Sequence, residues 1–279
     1  MLPREDYLQG QSLSSGSRAF AYIAGPSLGG LLVQVFSGPV ALLVDGASYL
    51  VSAVCLCCIR PVEPIPTRHA PGHLMGGIRF IRKSPMMRSC LGATATINLF
   101  NFSFSALEIL YLVTILRLSP ALIGLIIGIG SLGALTASAV STRISRRIGV
   151  GPAFVLGCIL FPTPLILVPL AAGPRPLVVA ILVVAMFGSG LGVMILDINV
   201  GAIFASLIPP QLRARVAGAY TVVNYGVRPI GAVLGGALGA ALGLRQALLV
   251  VAVCSIVGFL WLLPSPVLQM TELPETARV

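Results

Sequence analysis

Charge is what this chain has least of. Asp, Glu, Lys and Arg together make up 9% of its 279 residues, and 8 of those side chains are acidic, whereas a soluble domain carries roughly 25%. A water-facing surface cannot be built from so few charges, which argues against a soluble globular protein. Histidine is nearly as scarce. His69 and His73 stand four apart, but Pro71 and Gly72 between them argue against one helical face presenting both to a metal. The six cysteines, at positions 55, 57, 58, 90, 158 and 254, fall in or at apolar runs without paired CxxC spacing. They read as small apolar residues, and no metal site is expected. No Ser/His/Asp set and no carboxylate pair stands out in a loop, so an enzyme has no residues to rest on and no cofactor is expected. The opening MLPREDYLQGQS is polar and lacks a short apolar region followed by a cleavage site, so no cleavable signal is expected there.

Apolar length is what the chain has in abundance. Hydrophobic residues make up 57% of it, and the mean hydropathy is +1.00. They gather in runs of about 20, the length of helix that crosses a bilayer's hydrocarbon. The expected class is an all-α polytopic membrane protein. Gly, Pro and charge punctuation divide it into eight spans, near 14–36, 39–59, 89–116, 120–142, 152–172, 176–203, 216–242 and 246–263.

A net charge of +10 would suggest nucleic acid in a soluble domain, but here the basic residues follow the loops. SGP, LRLSP, AGPRP and GLRQ carry Arg117, Arg175 and Arg245; the alternate set of loops and ends carries thirteen Lys and Arg, and Arg18 and Arg228 fall inside spans. Because Lys and Arg resist translocation, the basic set is expected in the cytoplasm with both chain ends. The predicted partner is therefore a lipid bilayer and not a nucleic acid. Arg18, within a turn or two of the boundary, reads as snorkelling.

The longest loop, 60–88, begins PVEPIPTRHAPG, too proline-rich for a helix. In HLMGGIRFIRKSP, Leu74, Ile78 and Ile81 share a face opposed to Arg79, Arg82 and Lys83. That pattern predicts a short helix on the inner membrane surface, with a solvated linker as the alternative.

The chain also repeats itself. AGPSLGGLLVQ at 24–34 returns as GAVLGGALGAA at 231–241, with an offset of 206 positions that pairs Gly25, Leu28, Gly29 and Gly30 with Gly231, Leu234, Gly235 and Gly236. Without a gap the same offset pairs ALLV at 41–44 with ALLV at 247–250, and Val51 with Val257. Spans one and two thus match spans seven and eight in the same orientation, as two parallel six-helix halves require. The expected domains are 1–59 (the last two helices of a first half), 60–88 (a linker), 89–263 (a six-helix second half) and 264–279 (a cytoplasmic tail). Partners of spans three to six are expected upstream of Met1.

Polar residues inside the spans are few and patterned. Thr94, Asn98, Asn101, Ser105 and Glu108 recur at steps of 4, 3, 4 and 3, placing them on one stripe of the third span. A carboxylate at mid-membrane costs about 2.5–3.5 kcal/mol on insertion scales and turns to a water-filled cavity or to partners. The stripe therefore lines a cavity or forms a hydrogen-bonded seam between helices. Thr221, Asn224 and Arg228 follow a similar spacing on the seventh span, with Pro229 expected to break the helix beside the charge. Arg228 can attract an anionic substrate group or pair with a buried acid, the available ones being Glu108, Asp197 and Asp45. Asp45 can equally be a structural hydrogen-bonding residue. Arg228 and Asp45 have Tyr22 and Val251 as repeat mates, so these charges break the symmetry of the duplication. GIGSLG at 128–133 satisfies G-x-G-x-x-G literally but lies inside an apolar span, so it reads as helix packing.

On these residues the chain resembles the major facilitator superfamily, most closely its bacterial exporter branch of macrolide-efflux and enterobactin-exporter-like proteins. The fifth-helix antiporter motif of that family, g-x8-g-x3-G-P-x2-G-G, is matched by Gly25, Pro26, Gly29 and Gly30, with Ser12 and Ala21 at its two looser positions. LLVDGASYLVSA and GSGLGVMILDINVGAIFASLIPPQLRARVAG are also family-like. STRISRRIGVG resembles the second-half counterpart of the family's cytoplasmic loop signature, keeping Arg146, Arg147 and Gly149 but with Ser145 where an acid is expected. The resemblance implies a partial major-facilitator fold, the last eight of twelve helices. It gives a switching role to Gly25, Pro26, Gly29 and Gly30, for which tight packing is the alternative. It also places the third span at a central cavity.

The expected function is a multi-pass efflux permease of the bacterial cell membrane, exporting amphipathic or lipophilic small molecules such as drugs. Protons are the expected coupling ion. Such coupling needs a group whose ionisation changes with access to either side, and desolvation disfavours the charged form of a carboxylate. Glu108 is the first candidate and Asp197 the second. The alternative is a truncated, transport-incompetent remnant of such a permease. A channel is disfavoured because no ring of charges is evident.

Overall fold

The structure, a computed structural model, describes residue 21 and residues 24–58, 75–209 and 212–270. Ser12, Arg18, Tyr22, His69, His73 and Leu74 lie outside the described residues. Helix α1 covers Ala24–Phe36, α2 Gly38–Cys58 and α3 Met75–Lys83. Two long helices follow, α4 over Pro85–Thr114 and α5 over Pro120–Ile148. The next run comprises α6, Val150–Leu160, a 3-10 turn, Thr163–Ile166, and α7, Leu167–Leu170. Then come α8, Arg175–Leu207, α9, Arg213–Leu242, and α10, Leu244–Ile256, which continues as a 3-10 segment, Val257–Leu262. No strand occurs among the described residues.

Seven helical runs among the described residues are long and apolar enough to cross a membrane: α2, α4, α5, α6 through α7, α8, α9, and α10 with its extension. The chain is an all-α, multi-pass membrane protein. Proline and serine set several starts. Ser84 caps α4, its Oγ accepting from the Met87 N–H at 3.3 Å, and Pro85 occupies the first turn, where a missing N–H costs nothing.

Three expectations change. Pro229 does not break its helix; α9 runs through it from Arg213 to Leu242. In a bundle, neighbouring helices and local adjustment satisfy the carbonyl that a proline leaves free. The break falls instead inside the span expected over 152–172, where Pro162 and Pro164 end α6 and tighten the chain into the 3-10 turn. Finally, STRISRRIGVG is not a loop. Arg146 and Arg147 occupy the last turn of α5, and the connection to α6 is Gly149 alone, at φ 94°, a conformation that glycine adopts at little cost.

The repeat has a backbone counterpart. α1 ends at Phe36 and α2 begins at Gly38; α9 ends at Leu242 and α10 begins at Leu244. The single joining residues, Ser37 and Gly243, both take positive φ, 87° and 83°. The offset of 206 read from the sequence thus holds to the residue at both helix ends and in the hand of the turn.

Backbones approach closely where glycines face each other. Gly133 of α5 lies against the Phe187 carbonyl of α8, and Gly190 of α8 against the Gly130 carbonyl of α5. One apolar cluster includes Phe104, Leu107, Tyr111, Ile126, Leu182 and Leu248, joining α4, α5, α8 and α10. A second includes Ile97, Phe154, Leu196, Ile203 and Leu262. Without a hydrophobic force between helices in lipid, such packing and small-residue contact hold the bundle. By contrast, α2 contains no buried residue at all.

The amphipathic helix also differs from expectation. α3 forms, but its buried face is not the Ile78–Ile81 stripe. Ile81 is 5% exposed, packed with Met87, Ile208 and Val216, and Gly77 sits against the Arg215 carbonyl of α9. Ile78 is 46% exposed. Protein, not lipid alone, receives this helix, so its docking face is set by a neighbour that periodicity does not reveal.

Candidate functional site

α4 and α9 lie side by side and parallel. Gly231 rests on the Leu99 carbonyl and Gly235 on the Ser103 carbonyl, one turn further along each helix. Ser103 Oγ donates to the Gly231 carbonyl at 2.6 Å and tightens the same contact. With the two backbones this close, polar side chains one step toward the helix starts meet across the seam.

Tyr220 O–H donates to Thr94 Oγ1 at 2.7 Å, and Asn98 Nδ2 donates to Asn224 Oδ1 at 3.1 Å. Each asparagine also donates to its own helix, Asn98 to the Thr94 carbonyl and Asn224 to the Tyr220 carbonyl. Thr94 and Asn224 are buried. The structure therefore brings together three of the sequence candidates, Thr94, Asn98 and Asn224, and adds Tyr220, which its spacing of four from Asn224 could have flagged.

Further along the stripe the character changes. Asn101 is half-buried and Ser105 exposed. Glu108 has a buried carboxylate oxygen, Oε1, with no hydrogen-bond partner among the described residues. On α9, Arg228 stacks on aromatic faces, with Asp197 of α8 near enough to interact with its charge. Its guanidinium carbon lies 3.8 Å from the centre of the Tyr225 ring and 4.6 Å from that of Phe102. Its Nε is buried with no hydrogen-bond partner among the described residues. Neither ring was singled out from the sequence, although Tyr225 stands one helical turn before Arg228. Cation–ring contacts of this kind gain about 0.5–2 kcal/mol.

Asp197 on α8 and Thr221 on α9 are exposed, and Asp197 lies within electrostatic reach of Tyr220 and Arg228. Asp45 is exposed on α2, where its backbone carbonyl accepts from Ser48 Oγ at 2.7 Å. Arg146 and Arg147 are exposed, while Gly149 is buried. Beside them sits a polar cluster that the sequence reading missed. Buried Asn199 of α8 accepts from Ser145 Oγ at 2.7 Å, and its own Nδ2 donates to Ser141 Oγ and the Ile195 carbonyl. Ser145, placed where an acid was expected, thus ties α5 to α8. At the other end Arg245 Nε donates to the Pro169 carbonyl at 2.7 Å, fastening α10 to α7.

The glycine–proline motif of α1 crosses α5. A Cβ on Gly30 would fall 2.5 Å from the Pro120 carbonyl oxygen, and one on Gly124 would meet the Pro26 carbonyl. Gln34 Oε1 accepts from the Ala121 N–H at 3.1 Å, in the first turn of α5, where Ser119 makes no side-chain cap. Gly25 and Gly29, by contrast, have no atom within 4 Å of an added Cβ, although their repeat mates Gly231 and Gly235 are packed on α4.

Comparison with known proteins places this architecture. The profile of the Major Facilitator Superfamily matches residues 1–232 and, in a second overlapping match, residues 100–278. The chain belongs to the major facilitator superfamily. Among its relatives is the multidrug efflux pump Tap of Mycolicibacterium fortuitum, 28% identical over 248 residues, covering 82% of this chain and 56% of that protein. The Tap pumps of Mycobacterium bovis (strain BCG / Pasteur 1173P2) and Mycobacterium tuberculosis (strain ATCC 25618 / H37Rv) are each 24% identical over 313 aligned positions, covering all of this chain and 68% of theirs. The match to the M. fortuitum pump thus spans little more than half the length of that facilitator.

Proposed function

We propose that this chain works as an efflux permease, exporting amphipathic or lipophilic small molecules in exchange for protons by alternating access. In this reading α1 and α2 are the last two helices of a first half, residues 60–88 a linker, and α4 to α10 the second half, within 89–263. The basic loops and both ends face the cytoplasm. The crossing of Pro26 and Gly30 with Gly124 is the contact on which the halves rock, and Arg146, Arg147 and Gly149 bound its cytoplasmic side.

One observation carries the reading: two helices in contact, each long enough to span a bilayer, hold an acid and a base whose buried atoms, Glu108 Oε1 and Arg228 Nε, lack partners among the described residues. Such groups inside a span are costly and mark a pathway. Glu108 is assigned the transported proton, with Asp197 as the second acid. Arg228, Asn101, Ser105 and Thr221 face the substrate, and the hydrogen-bonded Thr94, Asn98 and Asn224 hold together the α4–α9 wall behind it; Asp45 is the outlying acid of the set. Relatives named as multidrug efflux pumps support the substrate class.

A second reading, a transport-incompetent remnant, is favoured by α2, which buries none of its 21 residues. Efflux of a lipophilic fluorescent dye from proteoliposomes holding the full chain, driven by an imposed pH gradient, separates the two. Gradient-dependent efflux that is lost in Glu108→Gln supports the permease. Folded chain with no efflux supports the remnant, and efflux undiminished in Glu108→Gln removes Glu108 from the coupling.

A further inference from the structure

The linker helix α3 has two faces, and one of them has no partner among the described residues. Gly77 and Ile81 hold it to the start of α9, against Arg215 and Val216. The other face presents Ile78, Arg79, Arg82 and Lys83 around a groove of about 430 Å³. The acidic side chains among the described residues are Asp45, Glu108 and Asp197, all on long apolar helices. None makes an ion pair with these cations.

Depth in the membrane follows from chain length. α4 has 30 residues, about 45 Å at 1.5 Å per residue, which matches the roughly 40–45 Å of a bilayer with its headgroup layers. Its start therefore lies among headgroups. α3 ends at Lys83, with Ser84 alone before Pro85. Three cations and an exposed isoleucine are thus held at headgroup depth on a helix that protein contacts already fix. Two guanidinium forks suit phosphate oxygens, and Ile78 suits the first methylenes of an acyl chain.

We propose that the Ile78–Lys83 face of α3 is a binding site for the phosphate headgroup of an anionic membrane lipid. Because α3 rests on the first turn of α9, the occupied site steadies the end of the helix that carries Asn224 and Arg228. The lipid thereby acts on the α4–α9 seam without entering it.

The test reads lipid binding and needs no transport, so its outcome is separate from that of the permease reading. Spin-labelled phosphatidylglycerol is titrated into the full chain reconstituted in phosphatidylcholine nanodiscs, and the motionally restricted fraction is followed. The R79Q/R82Q/K83Q variant is expected to lose affinity roughly a hundredfold, at about fivefold per basic side chain. R79K/R82K, which keeps the charges and loses the forks, is expected to fall between the parent and the triple variant, and an unchanged unfolding midpoint in both variants excludes misfolding as the cause. Spin-labelled phosphatidylcholine should not respond to the substitutions, and millimolar inorganic phosphate should not displace the lipid. Equal phosphatidylglycerol affinity in the triple variant overturns the site. Displacement by inorganic phosphate overturns the lipid as its occupant.

Discussion

Asn98 of α4 donates its side-chain N–H to Asn224 of α9 across 3.1 Å, 126 positions apart in the chain. Sequence spacing put both residues on polar stripes, and the fold lays one stripe against the other. Asn224→Ala removes the acceptor and leaves a half-buried Asn98 amide short of a partner. Interhelical hydrogen bonds of this kind are worth about 0.6 kcal/mol, up to about 1.7. Unfolding of the purified chain in mixed micelles with increasing SDS should show a loss of that size. Thr221→Ala, at an exposed position of the same helix, should show none.

The two copies of the glycine motif predict opposite responses to one methyl group. Gly231→Ala drives a Cβ into the Leu99 carbonyl of α4 and should cost about 1–3 kcal/mol, the usual penalty of overpacking. Gly25→Ala meets open space and should stay within about 0.5 kcal/mol of the parent. The same SDS titration measures both. Equal effects would show that Gly25 is covered in the assembled protein.

Ser37 occupies at φ 87° the turn position that glycine fills in the second copy, Gly243 at φ 83°. A side chain in left-handed backbone costs roughly 1–2 kcal/mol, partly offset by the greater freedom of glycine in the unfolded chain. Ser37→Gly should therefore raise stability by up to about 1 kcal/mol and Gly243→Ser should lower it, read as opposite shifts in thermal midpoint.

Arg228 and Phe102 should be energetically coupled. A double-mutant cycle of Arg228→Met and Phe102→Leu, scored by SDS unfolding, is expected to give a coupling of about 0.5–2 kcal/mol. Additive losses would mean that the ring, 4.6 Å from the guanidinium, is a neighbour and not a partner.

Much of the fold was legible because lipid imposes length. Runs of about 20 apolar residues bounded by Pro, Gly and Arg located the spans, and the constant offset located equivalent helix ends to the residue. What stayed hidden depends on neighbours. Whether Pro229 breaks α9 is decided by the helices around it, and whether Ile78 or Ile81 of α3 is buried is decided by Val216 of α9. Of the three acids available to Arg228 on paper, Asp197 comes within reach of its charge, while its stacking on Tyr225 and Phe102 is something charge counting does not reveal. The spacing makes a single stripe of the residues from Thr94 to Glu108. Its first half proved to be a seam because Gly231 and Gly235 bring α9 against α4 there.

Helix α5 begins without a cap of its own. The Ala121 N–H is completed by Gln34 of α1, a residue 87 positions earlier in the chain. During synthesis that glutamine leaves the ribosome well before the proline that opens α5. The Ala121 N–H gains this partner only when α5 finds the earlier helix, so the order of translation bears on where this pair of spans meets.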